Sequence, residues 1–143
     1  MTPTGKKRAD GQLSGLAGEF FVAAELLKRG IQTSVTFGNA KSIDLLATNP
    51  ETNEQFTVQV KTLRYKNWFP IDCSKANAAH IYVFVLLNKP GQPVDYFIVP
   101  GVELVENADR FGKGVDDPKF PGINWSALTD FKDKWSAFGL DDV

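Results

Sequence analysis

The chain has 143 residues, 43% of them hydrophobic, with a formal net charge of −1; this composition favours one packed domain over disorder and does not by itself indicate nucleic-acid binding. No apolar run is long enough to span a bilayer and the polar N-terminus has no hydrophobic signal core, so no membrane partner is expected. A single cysteine, Cys73, excludes an internal disulfide and thiolate zinc clusters and favours a reducing, cytoplasmic location, while a single histidine, His80, argues against a histidine-based metal site.

Residues 1–13 are polar, have no apolar period and contain three adjacent cations, Lys6, Lys7 and Arg8. The pattern predicts a flexible basic N-terminal tail, and an arm that contacts phosphates is the alternative. A single domain is predicted over residues 14–143.

A helix is predicted over residues 15–29, with Ser14 as its N-cap and Gly30 after its last turn. Four apolar residues recur at helical spacing on the face expected to pack against the core: Leu16, Phe20, Ala23 and Leu27. Glu19 lies on the same face. Because an unpaired buried carboxylate is costly, a cation, a donor or a metal is expected beside it.

Gly15 and Gly18 lie one turn apart in this helix, and each lowers helix stability by about 1 kcal/mol relative to Ala. Their spacing predicts a close approach of the helix to the sheet. A phosphate-binding loop is the alternative, although the spacing matches no glycine-rich nucleotide motif.

Three strands are predicted next: 31–37, 42–47 and 56–61. Turn-forming residues separate the last two strands and favour a hairpin. The second strand is apolar apart from Asp44. In the third, apolar and polar residues alternate, so Gln59 and Lys61 project from one face, roughly 7 Å apart. A register that brings Asp44 alongside would gather an acid, an amide and an amine on one patch of sheet.

Residues 61–70 interleave three cations with three aromatic side chains. Such a segment either binds a phosphate backbone through Arg64 and Lys66 and stacks on bases, or extends the strand with Trp68 and Phe69 in the core. The remaining predicted elements are a helical turn at 76–79, strands at 80–87 and 96–99, and helices at 102–108 and 125–138. The last helix is expected to close the core.

Glu19, Asp44 and Gln59 supply two carboxylates and an amide oxygen, which are hard ligands suited to Mg²⁺. Lys61 beside them could orient or deprotonate an attacking water, and a metal would stabilise charge developing on a scissile phosphate. Each residue alone has a structural explanation. Their order and spacing together indicate a catalytic metal site.

This pattern resembles the PD-(D/E)xK nuclease superfamily, which has the restriction-endonuclease-like fold. The matching residues are Gly15-Leu16-Ala17-Gly18-Glu19, Ser42-Ile43-Asp44 and Gln59-Val60-Lys61. The likeness is greatest to small bacterial members and to archaeal Holliday-junction resolvases, and it covers about residues 12–62 in detail. Ile43 stands where the motif has Pro, and Gln59 where it has Asp or Glu.

The resemblance implies an α/β fold in which helices flank a mixed central β-sheet in the order αβββ-α-β, so that residues 14–143 form a nuclease-like domain. It also implies a metal-dependent DNA endonuclease that hydrolyses phosphodiester bonds with Mg²⁺, or with Mn²⁺ as a substitute. Asp44, Gln59 and the Val60 backbone carbonyl would hold the metal, Glu19 would complete the acidic cluster, and Lys61 would serve the attacking water.

DNA is the expected partner, with phosphate contacts from five cations: Lys6, Lys7, Arg8, Arg64 and Lys66. A homodimer is also expected, because superfamily nucleases that cut both strands often pair two sites about a two-fold axis, with a candidate surface at Phe111, Phe120 and Trp125. The alternative function is a catalytically inactive nuclease-like domain that binds nucleic acid or a protein partner, as an immunity or accessory module.

Overall fold

The structure, a computed structural model, describes residues 3–36 and 43–141, with side chains from residue 11 onward. Its helices and strands are α1 (Pro3–Lys28), β1 (Gln32–Val35), β2 (Leu45–Thr48), β3 (Gln55–Leu63), β4 (Trp68–Pro70), β5 (His80–Leu86), β6 (Asp95–Pro100), α2 (Gly101–Glu106) and β7 (Gly122–Asn124). Short 3₁₀ segments cover Cys73–Lys75, Ala108–Phe111, Lys113–Asp116, Trp125–Phe131 and Trp135–Phe138.

Five strands form a mixed sheet in the order β1-β2-β3-β5-β6. β2 is antiparallel to both β1 and β3, β3 and β5 are parallel, and β6 is antiparallel to β5. The predicted α/β class, with a mixed sheet flanked by helices, is confirmed. The connection from β3 to β5 contains β4 and a 3₁₀ turn at Cys73–Lys75, just before the helical turn predicted at 76–79. β4 and β7 form a small second sheet.

β5 separates two apolar cores, because its side chains alternate between the two faces of the sheet. Ile81, Val83 and Val85 face the first core, which includes Val22 and Leu26 of α1. Phe84 and Leu86 face the second core, on the other side of the sheet. All the residues of β5 after its first are buried, which confirms the strand and the two-sided cover predicted from its apolar run. Within the part of the chain that is described, no helix is long and apolar enough to cross a membrane.

The helix α1 is longer than predicted and buries a different face. It begins at Pro3, so the segment predicted to be a tail is helical from residue 3 onward, and its flexibility stays a prediction. The core face carries Val22 and Leu26, both 0% exposed. The expectation that Leu16, Phe20 and Leu27 pack inward is wrong, because they are 44%, 50% and 55% exposed.

Gly18 makes the predicted close approach to the sheet, and Gly15 does not. A Cβ atom on Gly18 would overlap Oγ1 of Thr62 on β3, while one on Gly15 would meet nothing within 4 Å. The absence of a side chain at Gly18 therefore lets α1 lie directly on β3.

The predicted helix at 125–138 is wrong, since the segment forms two 3₁₀ turns, Trp125–Phe131 and Trp135–Phe138. Asp133 between them has a φ of 55°, a left-handed conformation that interrupts any helix. The segment nevertheless closes the core as expected, because its first turn buries Leu128 and Phe131 in one core and its second buries Trp135 and Phe138 in the other.

Candidate active site

Asp44 is held against β3 just before β2 begins. Its N–H donates to the Val58 carbonyl over 2.8 Å, and Oδ2 of its carboxylate accepts a hydrogen bond from the Val60 N–H, also over 2.8 Å. In an extended strand the N–H and C=O of one residue point to the same side, so the Val60 carbonyl also points toward Asp44. Residues 37–42, which precede this site and include Ser42, lie outside the described residues.

Gln59 and Lys61 share one face of β3, as the period of two predicts. They stand next to Tyr82 and Phe84 of β5 in the parallel register. Both line a cavity of about 310 Å³ on the side of the sheet away from α1. The amide and the amine therefore open into one space.

The other walls of this cavity come from residues that the sequence did not indicate. The connection between β3 and β5 contributes Asp72, Lys75 and Asn77, and β5 contributes His80 and Tyr82. The only sequence signal for this wall is the pair of strands on either side, since a parallel connection must cross one face of the sheet.

One contact fixes the connection to the sheet, and a second joins β3 to β5. The Asn77 N–H donates to the Tyr82 hydroxyl over 2.9 Å, and Thr57 Oγ1 lies 2.6 Å from His80 Nδ1. Asp72 caps the 3₁₀ turn by accepting hydrogen bonds from the Ser74 N–H and hydroxyl, which lowers the pKa of the Asp72 carboxyl.

Glu19 lies half-buried on α1 and interacts electrostatically with Asp44. Burial raises the pKa of its carboxyl, and the negative charge of Asp44 raises that pKa further. Within the described residues no cation forms a salt bridge with Glu19. Glu19 and Asp44 therefore form a pair of carboxylates that have no salt-bridge partner among the described residues.

The predicted site residues approach from two sides of the sheet. Glu19 comes from α1 on one face, Gln59 and Lys61 open onto the other, and Asp44 is bonded to the β3 backbone between them. Among the residues that can be described, no cluster of three or more His, Cys, Asp or Glu is placed to hold a metal.

The oxygen donors nonetheless suit Mg²⁺. Mg²⁺ is commonly held by one or two carboxylates and keeps several waters, and here Glu19 interacts with an Asp44 carboxylate that is bonded to the Val60 backbone. The chemistry of Glu19, Asp44, Gln59 and the Val60 carbonyl thus fits this ion better than a softer metal.

In the segment after β3, burial of Phe69 in the core is confirmed, while phosphate binding by Arg64 and Lys66 stays a prediction. Phe69 is 1% exposed and packs in the second core, while Arg64 and Lys66 are exposed in the bend before β4. The Lys66 ammonium lies 4.5 Å from the ring centroid of Trp125, a cation–π contact. Two exposed cations therefore stand at the end of the strand that carries Gln59 and Lys61.

The other three cations expected to bind phosphates lie on the first turns of α1. Only the backbone is described there, so the side chains of Lys6, Lys7 and Arg8 lie outside the described residues.

No protein-family model matches the sequence, and the search of curated proteins gives no match. Among solved structures, the bacterial homing endonuclease I-Ssp6803I is similar with a TM-score of 0.45 and 16% sequence identity, over 66% of this chain and 71% of that chain. A likeness at this level says nothing about the chemistry of the site, which is inferred below from the geometry.

Proposed function

We propose that the protein is a Mg²⁺-dependent DNA endonuclease that hydrolyses phosphodiester bonds. The observation that carries this proposal is the hydrogen bond from the Val60 N–H to the Asp44 carboxylate. It holds an acid beside the strand segment that presents an amide at Gln59, a carbonyl at Val60 and an amine at Lys61. The sequence resemblance to PD-(D/E)xK nucleases assigns the same positions to the active site.

In this proposal Asp44, Glu19, the Gln59 amide oxygen and the Val60 carbonyl hold the metal. The bound ion would neutralise the two carboxylates and stabilise the negative charge that develops on the phosphate. The hydrogen bond to Val60 orients the Asp44 carboxylate before any ion binds. This preorganisation lowers the cost of assembling the ligands.

Lys61 is assigned to the attacking water. Its side chain opens into the cavity beside Gln59, where it can hydrogen-bond to a water aimed at the phosphorus atom. Attack by the water forms a new P–O bond, the bond to the leaving sugar oxygen breaks, and that oxygen takes up a proton. Arg64 and Lys66, at the end of the same strand, would bind flanking phosphates and give the affinity a steep salt dependence.

The decisive experiment compares Lys61→Ala with Lys75→Ala. Both lysines line the same cavity, so the pair separates a specific role from the general loss of one positive charge. We expect Lys61→Ala to reduce the cleavage rate by about 100-fold or more, which is the range for loss of a general acid or base. Lys75→Ala should retain most of the activity, and both variants should keep the parent melting temperature.

The assay uses duplex, branched and single-stranded DNA with Mg²⁺ or Mn²⁺. A parent protein that cleaves none of them would contradict the proposal. Equal loss of activity in both variants would also contradict the role of Lys61.

A second candidate function is a nuclease-like module without catalysis, favoured by the neutral Gln59 at a position where the motif has a carboxylate. The variant Gln59→Glu separates the two, because an added negative ligand should tighten binding of a hard cation in a site already built for one. Calorimetric titration with Mn²⁺ measures the change. If neither the parent nor Gln59→Glu binds Mn²⁺, the non-catalytic function is supported.

A further inference from the structure

The face of α1 that points away from the sheet is apolar along most of its described length. Leu13, Leu16, Phe20 and Leu27 are 59%, 44%, 50% and 55% exposed, and Ala24 is exposed between the last two. Successive helical residues are 100° apart, so these five lie in one narrow stripe opposite the core face. An exposed apolar stripe on a monomer marks an interaction surface.

The spacing of this outer stripe is symmetric about Phe20. The intervals from Leu13 through Leu16, Phe20 and Ala24 to Leu27 are 3, 4, 4 and 3 residues. A two-fold axis through Phe20 therefore maps the stripe onto itself. A self-complementary surface of this kind is what an isologous contact between two copies requires.

We propose that the outer stripe of α1 binds the same stripe of a second copy, with the two helices antiparallel and Phe20 at the two-fold axis. Leu13 then lies opposite Leu27 of the second copy, and Leu16 opposite Ala24. The 3-and-4 spacing is the one that lets side chains of two helices interdigitate along a shallow crossing. The proposal is independent of the catalytic function.

Charge selects the antiparallel arrangement over the parallel one. In the antiparallel register Lys28 lies opposite Gln12, and Glu25 opposite Gly15, so these charges meet neutral residues. A parallel register would place Lys28 opposite Lys28 and Glu25 opposite Glu25. Like charges at facing positions are destabilising, and antiparallel helices also align their dipoles favourably.

The size of the stripe predicts a weak dimer. Residues 13–27 extend about 21 Å along the helix axis at 1.5 Å per residue, one helix width across. A contact of this extent belongs with the smaller interfaces, below about 1,200 Å² in total. We therefore expect dissociation constants on the order of micromolar.

The surface suggested by the sequence, at Phe111, Phe120 and Trp125, is a poorer candidate. Phe111 is 2% exposed and belongs to the second core, so it is not available for contact. Phe120 is 75% exposed and stands in a loop whose backbone N–H groups are bound by Asp117. Phe120 thus supplies a matched control, an exposed phenylalanine outside α1.

Sedimentation velocity over a range from about 1 to several hundred micromolar tests the proposal. The parent chain should dimerise, Phe20→Glu should remain monomeric with a dissociation constant raised at least about 100-fold, and Phe120→Glu should behave like the parent. Circular dichroism checks that each variant folds. A parent chain that stays monomeric throughout, or a dimer abolished by Phe120→Glu and not by Phe20→Glu, overturns the proposal.

A mixing experiment tests directly whether Phe20 faces Phe20 of the second copy. Phe20→Glu and Phe20→Lys should each be monomeric alone, because residue 20 would face its own charge in the second copy. Mixed in equal amounts they should form a heterodimer, since Glu then faces Lys. If the mixture stays monomeric while the parent dimerises, residue 20 does not face itself and the proposed contact at Phe20 is wrong.

Discussion

The two faces of β3 serve different purposes within nine residues of one strand. On the face toward α1, Val58 is 0% exposed in the first core, and Thr62 lies directly under Gly18. On the other face, Gln59 and Lys61 open into a cavity of about 310 Å³. Because side chains alternate along a strand, packing and chemistry can be specified by adjacent residues with little interference. The predictions below change one face at a time.

The variants Val58→Ala and Gln59→Ala should show the largest difference in the free energy of unfolding. Removing two methyl groups from a fully buried position should lower the free energy of unfolding by about 2 to 3 kcal/mol. Gln59→Ala, one residue away on the cavity face, should change it by less than about 0.5 kcal/mol. Urea denaturation followed by circular dichroism measures both. Equal losses would show that the cavity face is also part of the packed core.

Gly18→Ala should destabilise the protein by up to about 2 kcal/mol. Its new methyl group would overlap Thr62 Oγ1, an overpacking cost of about 1 to 3 kcal/mol, which the better helix propensity of Ala offsets by about 1 kcal/mol. Gly15→Ala is the matched control, because nothing lies within 4 Å of its Cβ position, and it should stabilise α1 by up to about 1 kcal/mol.

Thr62→Ala should rescue the Gly18→Ala variant, since it removes the atoms that the new methyl group meets. The Thr62 hydroxyl is buried without a hydrogen-bond partner among the described residues, so its loss costs little. The coupling is read from a double-mutant cycle of melting temperatures or unfolding free energies. Additive effects of the two substitutions would place α1 farther from β3 than the structure has it.

Local patterns predicted the sheet well because they report burial directly. The apolar run of β5 required cover on both faces, and the alternation in β3 put Gln59 and Lys61 on one face. Periodicity misjudged α1 for a physical reason. The helix is apolar on both sides, and its pattern alone does not say which stripe meets the sheet, so Leu16 and Phe20 were expected inside.

The missed features depend on contacts between distant parts of the chain. The cavity wall formed by Asp72, Lys75 and Asn77 exists because the β3–β5 connection crosses the sheet. No short motif in that connection predicts this wall. The C-terminal segment has helical spacing but folds as 3₁₀ turns, with Asp133 in a left-handed conformation. There the apolar spacing identified the buried residues while their tertiary contacts determined the backbone.

Glu19→Gln should have the smallest effect on folding stability, and the size of that effect depends on pH. The pKa of Glu19 is raised in the folded protein by burial and by Asp44, so the folded state resists ionisation of this carboxyl more than the unfolded state does. Below the unfolded pKa both states are protonated and the parent should match Glu19→Gln. As pH rises through the unfolded and then the folded pKa, the parent loses stability that the variant keeps.

The melting temperature of Glu19→Gln should therefore exceed that of the parent at pH 7 to 8, and the difference should vanish toward pH 3. Mg²⁺ or Mn²⁺ supplies the control, because an ion held by Glu19 and Asp44 favours the ionised carboxylates and should raise the melting temperature of the parent more than that of the variant. A difference independent of pH would mean that Glu19 feels neither burial nor Asp44. A pH-dependent difference that divalent ions leave unchanged would keep the electrostatic coupling of the two carboxylates but remove Glu19 from the proposed metal ligands.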